Sequence, residues 1–171
     1  MKLYYTEINL PTGTAYVAAT KDGIVRLELK ATSRTGFIDG LRDEFGVAPV
    51  EARRPFAALT RELMSYFSGE PVAFTAKVDL RGTEFQRKIW RTLSSIPYGN
   101  IRSYKWVAEK AGNPRGARAV GQALNRNPVP IIVPCHRVVQ SSGGLGGFGC
   151  GLDIKVKLLE VEGVIRTPGA A

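Results

Sequence analysis

The chain has 171 residues, 44% of them hydrophobic, and carries 24 Lys plus Arg against 15 Asp plus Glu for a formal net charge of +9, a length that fits one domain of about 150 residues or two small ones. Two cysteines and one histidine are too few for a disulfide framework or a structural zinc site, so no metal and no cofactor is expected and the thiols read as reduced and cytoplasmic (nuclear in a eukaryotic source). No run approaches the roughly 20 apolar residues of a membrane span, and Met1–Leu10 lacks the apolar core of a signal sequence.

In the first half, Val25, Leu27 and Leu29 alternate with Arg26, Glu28 and Lys30, the period of a half-buried strand, and Asp22-Gly23 before it signals a hairpin turn from an antiparallel partner over Thr14–Ala19. Phe37, Leu41 and Phe45 recur at helical spacing and stop at Gly46. Phe56, Leu59, Leu63 and Phe67 do the same between Pro55 and Gly69, a helix with Pro first and Gly last. Val72, Phe74, Ala76, Val78 and Leu80 alternate as a further strand. Residues 1–80 contain no His, no Cys and no glycine-rich phosphate loop, and read as a supporting α/β domain.

The second half, 81–171, begins near Arg81-Gly82. Phe85, Ile89 and Leu93 mark the buried stripe of a helix over about Thr83–Ser95. Ser103 N-caps a short helix through Ala111 that Gly112 closes, and Asn113-Pro114 restarts the chain as N-cap and first helical residue, with Ala117, Val120, Gly121 and Leu124 inward. Two helices joined by a Gly-containing turn form a helix-turn-helix candidate. Arg115, Arg118, Gln122 and Asn125 lie on the outward face of the second helix. That face is either a solvated helix surface or one that enters a DNA groove. Charge favours DNA: residues 1–80 hold ten basic and ten acidic side chains, so the whole +9 belongs to 81–171, and between Phe85 and Leu152 ten basic residues, Arg126 and Arg137 among them, face the single acid Glu109.

Ile131–Val133 is an apolar run that delivers Cys135 and His136, the only histidine, directly after Pro134. A thiol beside an imidazole reads either as an activated nucleophile or as a small buried hydrophobe next to a satisfied histidine. Adjacent side chains on extended backbone point to opposite faces, so joint action requires a turn or a bridging water. Downstream, Gly143–Gly151 packs six glycines into nine residues, a loop whose backbone can approach a ligand closely, with Phe148 available for a flat group. A last helix over Lys155–Glu162, with Val156, Leu159 and Val161 inward, offers Glu160 or Glu162 as a partner for the histidine.

These residues carry a family resemblance. Ile131-Ile-Val-Pro-Cys-His-Arg-Val, with Ala117-Arg-Ala-Val-Gly, Asn127-Pro-Val-Pro, Arg102-Ser-Tyr-Lys and Leu158-Leu-Glu-Val-Glu-Gly, resembles the active-site signature of the O6-alkylguanine-DNA alkyltransferases (methylated-DNA--protein-cysteine methyltransferases) over roughly residues 83–165. Residues 1–80 resemble that family's N-terminal domain in size and element order only. The resemblance implies an α/β (α+β) fold: a mixed sheet-and-helix, ribonuclease-H-like domain followed by a mainly helical domain with a winged-helix-like helix-turn-helix. It implies a monomer acting on double-stranded DNA that carries O6-alkylguanine. Cys135 becomes the alkyl acceptor, His136 its base through a water, and Glu162 the carboxylate that holds the histidine. Asn127 braces the helix-turn-helix against the active-site strand, Arg118 takes the place of the extruded nucleotide, and Tyr104 protonates the guanine ring and crowds the phosphate. Arg115, Gln122, Asn125 and Arg126 join Arg118 and Tyr104 on DNA, while Asn127, Val138, Phe148, Gly149 and Cys150 line the substrate pocket.

Two features depart from the family pattern. Phe148-Gly149 stands where a Tyr-Ser pair is common, keeping a stacking surface and losing two hydroxyls, and Cys150 stands where a small residue is common. The zinc site that some relatives carry in their N-terminal domain is not expected here, because residues 1–80 have no Cys or His. Two rival readings remain at this stage: a helix-turn-helix regulator with a structural cysteine, and a cysteine hydrolase.

Overall fold

The computed structural model describes residues 1–31 and 33–166. Its first half is built on a four-stranded sheet in the order β3-β2-β1-β4, with β1 (Tyr4–Leu10) antiparallel to β2 (Gly13–Thr20), β2 antiparallel to β3 (Gly23–Glu28), and β4 (Val50–Glu51) parallel to β1. Sequence reasoning found β2 and β3 but not the central β1. Because side chains alternate across a strand, one sheet face buries Leu3, Tyr5, Tyr16, Ala18 and Val25 against Phe37 and Leu41 of α1 (Arg34–Phe45). The opposite face buries Ile8, Val17, Ile24 and Leu27 with Phe56, Leu59, Leu63 and Tyr66, contributed by a 3₁₀ turn (Arg54–Phe56) and α2 (Ala57–Phe67). Ser33 caps α1 by accepting from the Gly36 N–H at 3.0 Å, and Gly46, at φ 69°, ends it.

The strand expected over Val72–Leu80 does not form. The segment is extended and its alternate side chains pack on the core, but it meets the sheet at a single parallel bridge, Ile24 to Val78. The Ile24 N–H donates to Lys77 O and the Asp79 N–H to Ile24 O, both at 2.8 Å. Period-2 hydrophobicity reports which face of an extended chain is buried; it does not report whether a neighbour supplies a ladder.

The second half is mainly helical. In α3 (Glu84–Leu93), Thr83 and Gln86 form a reciprocal capping box, and Ile89, Trp90 and Leu93 are buried. The Trp90 indole N–H donates to Ala123 O at 2.9 Å, tying α3 to α5 (Ala117–Asn125). Ser103 caps α4 (Tyr104–Lys110) through the Trp106 N–H. The expected start of α5 at Pro114 is corrected to Ala117: Asn113–Gly116 closes a tight turn with the Gly116 N–H on Asn113 O, so Gly116 occupies the N-cap. The inward face is Val120, Ala123 and Leu124, while Ala117 is exposed and Gly121 half-buried against the Tyr104 ring. Short strands β5 (Arg102–Ser103) and β6 (Val138–Val139) pair in parallel. The last helix, α6 (Leu152–Val161), begins before the predicted Lys155 and buries Ile154, Lys155, Leu158 and Leu159, leaving Val156 and Val161 half-buried. One continuous hydrophobic cluster runs from the sheet through α2, α3, α5 and α6. Among the described residues no helix is long and apolar enough to cross a membrane.

Candidate active site

The apolar run Ile131–Val133 forms a turn. Pro128, Pro130 and Pro134 remove backbone donors that a ladder would need, Ile131 sits at φ 71°, and the Val133 N–H closes back onto Val129 O at 3.0 Å. Asn127 stitches this turn from within: its Nδ2 donates to Val133 O at 2.8 Å and its Oδ1 accepts from the Val129 N–H at 3.0 Å. The chain then enters a 3₁₀ turn, Cys135–Arg137, in which all three side chains are buried. This curvature removes the difficulty that adjacent side chains pose on extended backbone.

His136 Nε2 lies 2.6 Å from Glu162 Oε1 at the end of α6, so Glu162 and not Glu160 meets the histidine. Arg137 donates to both Glu162 oxygens through Nε, at 3.1 and 3.0 Å, and through Nη2 to Oε1 at 2.8 Å, while its Nη1 donates to Ile96 O at 2.6 Å. The Gly99 N–H adds a bond to Oε2 at 3.0 Å. Tyr66, from α2, donates its hydroxyl to Glu162 Oε1 at 2.8 Å. Burial alone would raise the Glu162 pKa, but the bonds and charges of His136 and Arg137 outweigh it and hold the carboxylate at about 2. Burial lowers the His136 pKa despite Glu162, with the positive charges of Arg137 and Lys155 adding to the effect. A neutral ring facing a carboxylate donates from Nε2. Nδ1 is then the lone-pair nitrogen, and it is buried with no protein partner among the described residues.

The Cys135 thiol is pushed up to about 12, chiefly by burial, with the Asn127 amide pulling the other way and the Lys155 charge opposing it less. At neutral pH it is a thiol and requires a base to become a nucleophile. Lys155, fully buried on α6, donates to Val138 O at 2.7 Å and to Leu145 O, with Gly147 O at 3.5 Å, and its ammonium lies 6.0 Å from the centre of the Phe148 ring. Burial lowers its pKa to about 8. Lys155 therefore gathers the glycine-rich loop onto β6. The loop also passes over Tyr104, whose hydroxyl donates to Gly147 O at 3.3 Å, and a Cβ on Gly146, at φ 73°, would lie 2.6 Å from that hydroxyl. A cavity of about 500 Å³ opens here, lined by Cys135, Asn127, Phe148, Gly149 and Cys150 together with Arg26 and Lys30 of the first half. Cys150 is likewise pushed up, to about 11, by burial and by the charge of Glu28.

The outward face of the helix-turn-helix carries Arg115, Arg118, Gln122, Asn125 and Arg126, all exposed. Arg102 and Lys110 lie over the Trp106 ring, at 5.3 and 5.7 Å from its centre. Arg137 does not belong to this surface; its charge is spent on Glu162.

Two family models together span nearly the whole chain. Residues 3–80 match the 6-O-methylguanine DNA methyltransferase, ribonuclease-like domain, and residues 84–164 match the 6-O-methylguanine DNA methyltransferase, DNA binding domain. The chain belongs to this methyltransferase family. A methylated-DNA--protein-cysteine methyltransferase of Methanosarcina barkeri is 42% identical over 94% of this chain and 97% of its own length. The corresponding protein of Mycolicibacterium paratuberculosis is 42% identical over 92% and 91%. Among solved structures, Mycobacterium tuberculosis OGT in complex with DNA aligns at TM-score 0.80 and 40% identity over 93% of this chain and 92% of that one.

Within this methyltransferase fold the residues singled out from sequence, apart from the exposed helix-turn-helix face, occupy distinct places. Cys135, His136, Glu162 and Asn127 converge on one buried centre, with Phe148, Gly149 and Cys150 on the adjoining cavity wall. Tyr104 stands outside the cavity lining, under the loop. Val138 has a fully buried side chain, and its carbonyl accepts from Lys155 Nζ at 2.7 Å. Three residues were missed, namely Tyr66, Arg137 and Lys155. Arg137 and Lys155 look like any other surface cation in sequence, and Tyr66 shares a helix face with Leu59 and Leu63 and reads as core.

Proposed function

We propose that this member of the methyltransferase family repairs O6-alkylguanine in double-stranded DNA by moving the alkyl group irreversibly onto its own Cys135. The observation that carries the reading is the buried thiol followed by a histidine whose Nε2 is committed to Glu162, so that Nδ1 is left to act as a base. The exposed basic face of α5 binds the phosphates and Arg118 enters the duplex as the damaged nucleotide is extruded. The base packs against Phe148 beside Cys135, next to the loop that Tyr104 supports. The Cys135 proton passes through a water to His136, the thiolate attacks the alkyl carbon in line, the S–C bond forms as the O–C bond breaks, and the electron pair returns to guanine as Tyr104 delivers a proton to the ring. The thioether is stable, so each molecule acts once. O4-methylthymine is a second substrate of the same geometry. Residues 1–80 support the site and 81–171 bind DNA and accept the alkyl group, in a monomer that works in the cytoplasm.

The test is a mass measurement. After incubation with a duplex containing O6-methylguanine, the tryptic peptide holding Cys135 gains one methyl group, and Cys135→Ala abolishes the transfer. An unmodified peptide despite tight DNA binding would instead identify a helix-turn-helix regulator.

A further inference from the structure

The first half carries no histidine or cysteine, yet one of its side chains reaches the base. Tyr66 lies in the last turn of α2 and is fully buried; its ring packs edge-on against Phe67 and Tyr98 and at 74° to the His136 ring, with centroids 6.5 Å apart. Its hydroxyl donates to Glu162 Oε1 at 2.8 Å and stands 3.3 Å from His136 Nε2. Oε1 is thus the meeting point of three residues, Tyr66, His136 and Arg137.

We propose that Tyr66 is a positioning residue for alkyl transfer, whose hydroxyl holds the Glu162 carboxylate against His136 Nε2 and so helps to leave Nδ1 as the neutral base that takes the thiol proton. This rests on the reading of Cys135 as the acceptor. Two separate actions follow from the two sides of the hydroxyl. Its oxygen stands 3.3 Å from an Nε2 that bears hydrogen in both the neutral and the charged ring, close enough to add to the hold of Glu162 on that hydrogen. Its O–H is bonded to Oε1 and offsets part of the carboxylate charge, so as a donor it weakens the hold of Glu162 on the imidazolium and keeps the base neutral. The tyrosine stays a donor throughout, because burial and the neighbouring carboxylate raise its own pKa far above the ordinary phenol value. The other charged and titratable groups near the ring are Glu162, Arg137, Lys155 and Cys135, with Tyr98 beyond Arg137; none of them is on α2. The first domain thus reaches the base through the Tyr66 hydroxyl.

The single histidine makes the test clean, since every imidazole signal comes from His136. In the full-length protein labelled with ¹⁵N-histidine, the neutral ring is expected as the Nε2–H tautomer; an Nδ1–H ring in the wild type would overturn the proposal without any variant. Tyr66→Phe keeps the buried ring and removes the hydroxyl. It is expected to move the His136 titration midpoint to higher pH, because the carboxylate loses the O–H that offsets part of its charge. On the acid side the alkyl-transfer rate then falls about tenfold for each unit of that shift. Tyr98→Phe serves as the comparison, because the Tyr98 hydroxyl bonds Gly69 O and Val161 O rather than the carboxylate. An unmoved midpoint in folded Tyr66→Phe, or an equal shift in both variants, would refute the proposal. Neither readout of the ring depends on alkyl transfer, so failure of the repair reading would show separately, as an unmodified Cys135 in the wild type.

Discussion

Replacing Glu162 by glutamine removes one negative charge from a centre that also holds Arg137, His136 and the Tyr66 hydroxyl, while keeping nearly the same shape. The cost follows from the position of the carboxylate. Its pKa falls from 4.5 to about 2 in the folded protein, which corresponds to about 3 kcal/mol of stability at neutral pH. Leaving a buried arginine without its counter-charge is worth about 3–5 kcal/mol, so the two routes agree. Against a total stability of about 5–15 kcal/mol, Glu162→Gln is expected to remain folded with its urea midpoint clearly lowered. The pH dependence has a definite sign. A depressed carboxylate contributes stability that is present above its unfolded value and lost as pH falls through its folded value, so the gap between wild type and Glu162→Gln is full at pH 7 and shrinks between about 4.5 and about 2. Urea denaturation of both proteins at pH 7 and pH 3 measures it. A loss at pH 7 below about 1 kcal/mol, the size of an ordinary neutral hydrogen bond, or an equal loss at pH 3, would refute the argument.

Lys155→Met should destabilise by about 1–3 kcal/mol for each carbonyl left without a donor and should release the glycine-rich loop, seen as faster amide exchange over 143–149; unchanged exchange would mean that the loop does not depend on the ammonium. Arg118→Ala is expected to slow repair of duplex DNA far more than reaction with free O6-benzylguanine, and equal losses on the two substrates would remove its role in extrusion. Affinity for undamaged duplex should fall steeply with added salt, because the exposed cations of α4 and α5 displace counterions from phosphates; a flat response would contradict the assignment of that face. Cys150→Ser should retain alkyl transfer, since Cys150 lies outside the turn that carries His136, and alkyl found on Cys150 in the wild type would overturn the choice of acceptor.

Much of the site was legible in the sequence because its members are concentrated in short motifs. Pro134-Cys135-His136 and the Glu162 turn announce a thiol, a base and a carboxylate within a few residues of landmarks that are themselves readable, such as the proline run and the last helix. What stayed hidden depends on partners that no local pattern encodes. The Tyr66 hydroxyl finds Glu162 from ninety-six positions away. Arg137 and Lys155 are buried because Glu162 and a set of backbone carbonyls satisfy them, and hydropathy assigns both to the surface. The helices were found from apolar periodicity and from end signals such as Gly46 and Ser103, and the start of α5 was misplaced where Asn113-Pro114 serves a turn instead of a cap. The buried set of β1 includes Thr6 beside Tyr5, Ile8 and Leu10, which obscures the alternation of the central strand. The regularity of Val72–Leu80 had the opposite effect and suggested a strand that the sheet does not pair.

The central claim is that Cys135 accepts one alkyl group and is not regenerated. Titrating a fixed amount of protein with duplex carrying radiolabelled O6-methylguanine, and counting the label retained on protein, tests it most directly. The account predicts a plateau at one methyl per protein molecule that excess substrate and longer incubation leave unchanged, and no label in Cys135→Ala. Release of methyl to solvent with continued turnover, or undiminished labelling of Cys135→Ala, would contradict it.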